Sequence, residues 1–367
     1  MPAKILAFPG RYVQGNGVIK TIGEKVKPLG NRAMAICGKT AMSILLDTLK
    51  NFEEKGIFIV FEQLKGECCL EEINRIKEQA EKMKANLIIG AGGGKAIDTA
   101  KAVAYYLKLP VVIVPTVAST DAPCSALAVI HTREGAVSDL MILPKNPDLI
   151  LVDTGIIARA PVRLFVSGMG DALATWFEAD YSARAYAKNI LGGNSTEAAL
   201  HLARLCYRIL LDCGRRAKLA VEKGVVTEDV EKVVEANILL SGLGFESGGL
   251  GAAHAIHDGL EEALEETRSF FHGEKVAFAT LVQLVLENRS NEELEEVLKF
   301  CLSVGLPVTL RQIGLTREAA PEKIKRAAEL ACTAGKTIHN ASFQVTPEKV
   351  YSAILAADAI GNDHLVN

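Results

Sequence analysis

Leu87-Ile88-Ile89-Gly90-Ala91-Gly92-Gly93-Gly94-Lys95-Ala96-Ile97-Asp98-Thr99-Ala100-Lys101 passes from an apolar run through a glycine turn into a helical pattern. A strand that ends in consecutive glycines and restarts as a helix can receive a phosphate. Without Cβ atoms the backbone approaches a pyrophosphate closely, and the first helical N–H groups and the helix dipole attract the anion. Lys95 adds positive charge. The order fits neither G-x-G-x-x-G nor the Walker spacing. On these residues alone, a plain tight strand-to-helix turn stays open.

The same texture extends on both sides of the turn. Short apolar runs at 33–36, 57–61, 87–90, 111–115 and 149–153 read as strands, and 39–55, 71–84 and 95–107 carry helical periodicity. Continuous apolar strands separated by helices suit a parallel sheet buried on both faces. From about Ala160 the pattern turns helical, with the clearest segments at 197–213, 228–243, 276–288, 292–304, 321–334 and 347–359. The expected fold is a Rossmann-like α/β dinucleotide-binding domain over 1–160 and an all-α domain over 161–367. Ala160-Pro161 carries no flexible linker, so the halves are expected to pack closely with a cleft between them.

Composition narrows the function. The 367 residues carry a formal net charge of −3, which offers no basic field for nucleic acid or an anionic membrane surface. Neither a secretory leader nor a membrane span is expected, since the longer apolar runs are broken by charges or glycines. The eight cysteines are scattered without a C-x-x-C pair, which points to reduced thiols in the cytoplasm.

Three of the seven histidines crowd into one region. His254 and His257 lie in Ser247-Gly248-Gly249-Leu250-Gly251-Ala252-Ala253-His254-Ala255-Ile256-His257, and His272 follows in Phe271-His272-Gly273-Glu274-Lys275. Asp171, in Gly168-Met169-Gly170-Asp171-Ala172-Leu173-Ala174-Thr175, reads as a carboxylate at the start of a helical run. One carboxylate and two imidazoles can hold a divalent metal such as zinc and leave a position open for substrate. His254 and His257 share a helix face, and only one need be a ligand. Glu261-Glu262 and Glu265-Glu266 read as a solvated acidic face. The loop Pro115-Thr116-Val117-Ala118-Ser119-Thr120-Asp121-Ala122-Pro123-Cys124-Ser125-Ala126-Leu127 crowds hydroxyls beside one carboxylate. It reads either as a ligand-contacting loop or as Ser/Thr turns closing the next element.

Together these segments resemble the glycerol dehydrogenases of the iron-containing alcohol dehydrogenase superfamily. The resemblance rests on Gly92 to Lys101, Ala118 to Pro123, Gly170 to Trp176, and Gly244 to Leu250 running into His254. It extends from Pro9-Gly10-Arg11-Tyr12 to Thr337-Ile338-His339-Asn340. It implies a dehydroquinate synthase-like architecture with a metal in the cleft, and oxidation of glycerol to dihydroxyacetone by hydride transfer from a metal-held alkoxide to NAD. By motif, Asp171, His254 and His272 are implied as metal ligands, and Asp121 with His254 as the groups meeting the polyol. Gly38, Gly92, Gly93, Gly94, Lys95, Asp98, Thr116, Ser119, Ser125, Leu127 and His131 are implied as dinucleotide contacts, although His131 stands where the family commonly has tyrosine. A homo-oligomer, an octamer by resemblance, is implied as well.

Two departures matter. The iron-dependent branch adds a histidine four residues after the aspartate, where this chain has Thr175, so three ligands favour zinc. NAD-using relatives often place an aspartate after the second strand, where this chain has Cys37-Gly38-Lys39. NAD remains the expected cofactor, with NADP tolerated better than in those relatives. The rival expectations are an oxidoreductase of another small vicinal diol or hydroxyketone and, more remotely, a dehydroquinate synthase-like lyase.

Overall fold

The computed structural model describes residues 2–48, 56–315 and 320–366. The strands are β1 (Tyr12–Gly15), β2 (Arg32–Cys37), β3 (Phe58–Gln63), β4 (Leu87–Gly92), β5 (Val111–Pro115), β6 (Leu127–His131), β7 (Val137–Ile142) and β8 (Leu149–Asp153). Helices of the first part are α1 (Ile22–Val26), α2 (Lys39–Thr48), α3 (Leu70–Lys82), α4 (Gly94–Leu107) and α5 (Thr154–Ile157). Then follow α6 (Val162–Arg184), α7 (Glu197–Glu222), α8 (Glu228–Glu235), α9 (Ser241–Gly248) and α10 (Ala252–Ala263). The last are α11 (His272–Leu286), α12 (Asn291–Val304), α13 (Ala320–Ala331) and α14 (Pro347–Val366). The final stretch of the expected helix 39–55, residues 49–55, lies outside the described residues.

Six strands form one parallel sheet in the order β1-β8-β5-β4-β2-β3. Ala33, Ala35, Leu87, Ile89, Val112, Val114, Leu149 and Leu151 share one core with Ile22, Val26 and Leu45. The alternate positions Met34, Ile36, Ile88 and Ile113 are buried too. Both faces are therefore covered, which is why these strands read as unbroken apolar runs. Each of the Val, Leu, Ile and Met side chains contributes roughly 1.5–3 kcal/mol on burial. Strands β2, β3, β4, β5 and β8 follow the sequence reading, but β1, β6 and β7 do not. β1 is short and contains Gln14 and Gly15. The antiparallel hairpin of β6 and β7 stands outside the main sheet, and five of the six β7 residues are exposed.

The chain divides into two compact units, and the division differs from a cut at 160. The sheet unit is Ala7–Pro161 with Ala220–Gly242, and the helical unit is Met1–Leu6, Val162–Leu219 and Leu243–Asn367. The second part of the sheet unit has a polar cause. Glu231 of α8 accepts hydrogen bonds from Gln14 Nε2 at 2.7 Å and from the Thr154 hydroxyl at 2.7 Å. Asn237, in the π-helical turn Ala236–Leu240, donates to the carbonyl of Ala118 at 3.1 Å. The N-terminal residues join the helical unit through Asn194, whose carbonyl accepts from Ile5 N–H at 3.1 Å and whose N–H donates to Ala3 at 2.8 Å. Neither tie leaves a periodic apolar signal in the sequence.

Candidate functional site

Within the helical unit, two glycines bring α6 and α11 into backbone contact. A Cβ on Gly273 would stand 1.8 Å from the carbonyl oxygen of Ser167, and one on Gly170 would stand 2.2 Å from that of Gly273. The residues beside them are Asp171 and His272. The closest approach of the two helices thus sets an acid and an imidazole side by side. Asp171 lies well inside α6, not at the start of a helix as its surroundings suggest in sequence.

His254 comes from the first turn of α10. That turn begins at Gly251, which has no side chain to cap the helix, and its N–H groups are satisfied from elsewhere. Glu178 Oε1 accepts from the N–H groups of Gly251 at 3.1 Å and His254 at 2.9 Å. Gln283 Oε1 accepts from Ala252 at 3.1 Å and Ala253 at 2.8 Å. A carboxylate of α6 and an amide of α11 therefore fix the helix end that carries His254. Glu178 also holds the ring, with Oε2 2.5 Å from His254 Nδ1. Since a carboxylate only accepts, Nδ1 carries the hydrogen and Nε2 is left toward Asp171.

Asp171, His254 and His272 place their donor atoms within 4.8 Å of one another. Nε2 of His254 and Nε2 of His272 stand 3.4 Å and 3.2 Å from the same Asp171 oxygen. Both Asp171 oxygens are buried without a hydrogen bond. Such orphaned oxygens cost free energy unless a cation meets them. The donor set, one oxygen and two nitrogens from three helices, fits a divalent metal. Burial opposes charge on Asp171, but His272 and His254 outweigh it and hold the carboxyl well below the usual carboxylate range. Burial also disfavours a charged His254, yet Glu178 and Asp171 raise its pKa well above the ordinary imidazole value. Burial, aided by His257 and His254, leaves that of His272 lowered despite Asp171.

His257 packs its ring edge-on against His272, with centroids 4.5 Å apart. It sits between Asp258 and Glu261, each with an oxygen 3.2 Å from one ring nitrogen. Glu261 also pairs with buried Lys275 at 2.8 Å, so it is not a simply solvated acid. Thr175, four residues past Asp171, is buried with its methyl against Gly244.

The glycine turn belongs to the sheet unit. β4 runs through Gly92, whose φ of 141° suits glycine, and α4 starts at Gly94. A Cβ on Gly94 would meet nothing within 4 Å. Lys95 is exposed and reaches Glu67 at 2.5 Å. Thr116 N–H donates to Gly92 O at 3.1 Å, which joins the next loop to this turn. Ser119 and Asp121 are half-buried on that loop, and an Asp121 oxygen accepts from the Ser241 hydroxyl at 3.1 Å. His131 ends β6 beside Arg133 and Leu70, lining a shallow pocket of about 330 Å³.

Two of the expected dinucleotide contacts are turned inward. The buried Asp98 carboxylate accepts from Val129 N–H at 3.3 Å and faces Lys101 at 3.7 Å. Buried Ser125 presents its hydroxyl to the same ammonium at 3.3 Å. Lys101 also donates to the carbonyls of Ala122 and of Leu127, the latter at 2.7 Å. These groups brace the loop from beneath. Burial pushes the Asp98 carboxyl up to about 6, with Lys101 offsetting part of the rise. The sequence reading does not single out Lys101, which holds the Ala122 and Leu127 carbonyls, or Glu178, which holds His254. Their signals were a cation three residues from Asp98 and an acid two helical turns from Asp171.

Comparison with known proteins agrees with this layout. Residues 9–154 match the family described as iron-containing alcohol dehydrogenase. A glycerol dehydrogenase of Pseudomonas putida is 50% identical over 363 residues, covering 99% of both chains. The crystal structure of a probable glycerol dehydrogenase from Sinorhizobium meliloti superposes with a TM-score of 0.92 at 44% identity, covering 98% of this chain and 100% of the other. That of a glycerol dehydrogenase from Schizosaccharomyces pombe gives 0.94 at 36% identity, covering 99% and 92%. The chain belongs to the iron-containing alcohol dehydrogenase family, among its glycerol dehydrogenases, and is an oxidoreductase.

Proposed function

We propose that this chain catalyses NAD-dependent oxidation of glycerol to dihydroxyacetone at a zinc site formed by Asp171, His254 and His272. The observation that carries the reading is the pair of orphaned Asp171 oxygens faced by two imidazole nitrogens. When bound, zinc supplies the Lewis acidity that brings a coordinated hydroxyl's pKa toward neutrality, and NAD supplies the hydride acceptor. Three protein donors leave a coordination position for the substrate, which suits a catalytic rather than a structural ion. Glu178 keeps the proton on Nδ1 of His254 and so holds Nε2 as a donor. Asp121 accepts a hydrogen bond from a polyol hydroxyl and orients it. The N–H groups around Gly93, Gly94 and Lys95 receive the pyrophosphate, with Thr116, Ser119, Leu127 and His131 along the dinucleotide.

The same reading makes the enzyme a cytoplasmic homo-oligomer, an octamer by family resemblance. The eight cysteines are all free, and seven of them are buried, which supports a reducing compartment. Among the described residues no helix is long and apolar enough to cross a membrane.

The test is glycerol-dependent NAD reduction by the protein as purified, after chelation, and after zinc is restored. Loss on chelation with recovery on zinc is the expected result. A chelated protein that keeps full turnover overturns the metal assignment. Turnover on propanediols but not on glycerol by the zinc-restored protein moves the substrate to another small diol.

A further inference from the structure

We propose that the adenosine end of the dinucleotide site accepts a 2′-phosphate, so that the protein binds NADP as readily as NAD. The inference rests on the dinucleotide reading above and adds a specificity to it. In a parallel α/β sheet the pyrophosphate lies at the glycine turn, and the adenosine ribose lies over the end of a neighbouring strand. An acid there binds the 2′-hydroxyl, whereas a cation accommodates a 2′-phosphate. The neighbours of β4 are β5 and β2. β5 feeds the loop carrying Asp121, assigned above to the polyol, which leaves the end of β2 for the adenosine.

That end holds no acid. Cys37 is buried, and Gly38 follows with its N–H bonded to Ala91 O at 3.3 Å, alongside the end of β4. A Cβ at Gly38 would meet nothing within 4 Å, so the position from which a carboxylate would reach the ribose is open. Lys39 and Thr40 come next, both exposed. On the far side of β2, Gln63 of β3 pairs with Cys37, and exposed Lys65 follows two residues later.

Among the described residues, the acids near this rim are already paired. Glu62 and Glu72 are both held by Arg75 at 2.6 Å, Glu67 by Lys95 at 2.5 Å, and Glu71 by Arg133 at 3.2 Å. Lys39 makes no ion pair among the described residues, whereas Lys65 lies beside Glu72, to which its backbone N–H donates at 2.7 Å. Among the described residues, a phosphate dianion arriving beside Gly38 therefore meets the Lys39 ammonium and the Thr40 hydroxyl, and no unpaired carboxylate.

Calorimetric titration of the full-length protein with NAD and with NADP reads this directly, without turnover. The expected dissociation constants lie within about tenfold of each other. Gly38→Asp, for which the backbone has room, is expected to weaken NADP by about 100-fold while NAD holds or tightens. Lys39→Ala is expected to weaken NADP more than NAD, with a shallower salt dependence. A wild-type protein that binds NAD more than about 100-fold tighter than NADP overturns this inference and leaves the dinucleotide reading intact. A Gly38→Asp variant with an unchanged NAD-to-NADP ratio also overturns it. A protein that binds neither dinucleotide overturns both.

Discussion

Glu178 grips His254 twice, by its backbone N–H at 2.9 Å and by its ring Nδ1 at 2.5 Å. One buried carboxylate thus ends a helix and sets the ring's tautomer. Such partners of ligand histidines are worth about 10- to 100-fold in metal affinity. Glu178→Gln keeps an accepting oxygen for the helix end but loses the charge at the ring. Zinc titration is expected to show weakening within that range, with activity recovering at excess zinc. Unchanged zinc affinity would restrict Glu178 to capping the helix.

Gly273→Ala tests how the acid and imidazole are brought together. The new methyl would fall 1.8 Å from Ser167 O, which belongs to backbone and cannot swing aside. α6 and α11 must separate, at a cost of about 1–3 kcal/mol or more. The expected outcome is a lower melting temperature together with weaker zinc binding. A variant that melts lower yet binds zinc as the wild type does would break the link between helix spacing and the proposed metal site.

The pair of Asp98 and Lys101 predicts a pH-dependent stability. With its folded pKa raised to about 6, Asp98 binds its proton more tightly in the folded state than in the unfolded state. Its contribution is therefore fully present below the unfolded aspartate value and is lost as pH rises through about 6. The difference is worth on the order of 3 kcal/mol. Relative to wild type, Asp98→Asn should gain stability between pH 4.5 and pH 7.5, read from melting temperatures at each pH. A difference that does not vary with pH would refute the assignment. Lys101→Met is expected to cost about 2–4 kcal/mol, because it strips two loop carbonyls and the Asp98 carboxylate of their cation.

The sheet was legible because both of its faces are buried, so β2, β4, β5 and β8 read as apolar runs without alternation. The grouping of Asp171, His254 and His272 was legible through resemblance and through the clustering of scarce histidines. Less visible were the polar ties. Glu231 docks α8 on β1, Lys101 holds the Asp121 loop from beneath, and Glu178 reaches His254 across 76 positions of sequence. Each depends on a single polar side chain meeting a distant backbone group. Periodicity does not register such bonds, since it reports which face is apolar and not where a lone buried charge finds its partner. The inward turn of Asp98 and Ser125 escaped notice for the same reason: their motif positions suggested a ligand, while their partner was a lysine on α4.

Asp121 provides the sharpest test of the division of labour between metal and protein. Its loop is held independently of its charge, by Lys101 on Ala122 and Leu127, by Asn237 on Ala118, and by Asn146 on Cys124 at 3.0 Å. Asp121→Asn keeps an oxygen able to accept from Ser241, so the fold and the zinc content are expected to persist. On the proposed reading a charged acceptor for a substrate hydroxyl is lost, and the kcat/KM for glycerol should fall about tenfold, the difference between a charged and a neutral hydrogen bond. Steady-state kinetics with glycerol, alongside zinc stoichiometry on the same preparation, separates the possibilities. Lower efficiency at full zinc occupancy places Asp121 at the polyol, unchanged efficiency removes it from the site, and lost zinc would make it part of the metal's support.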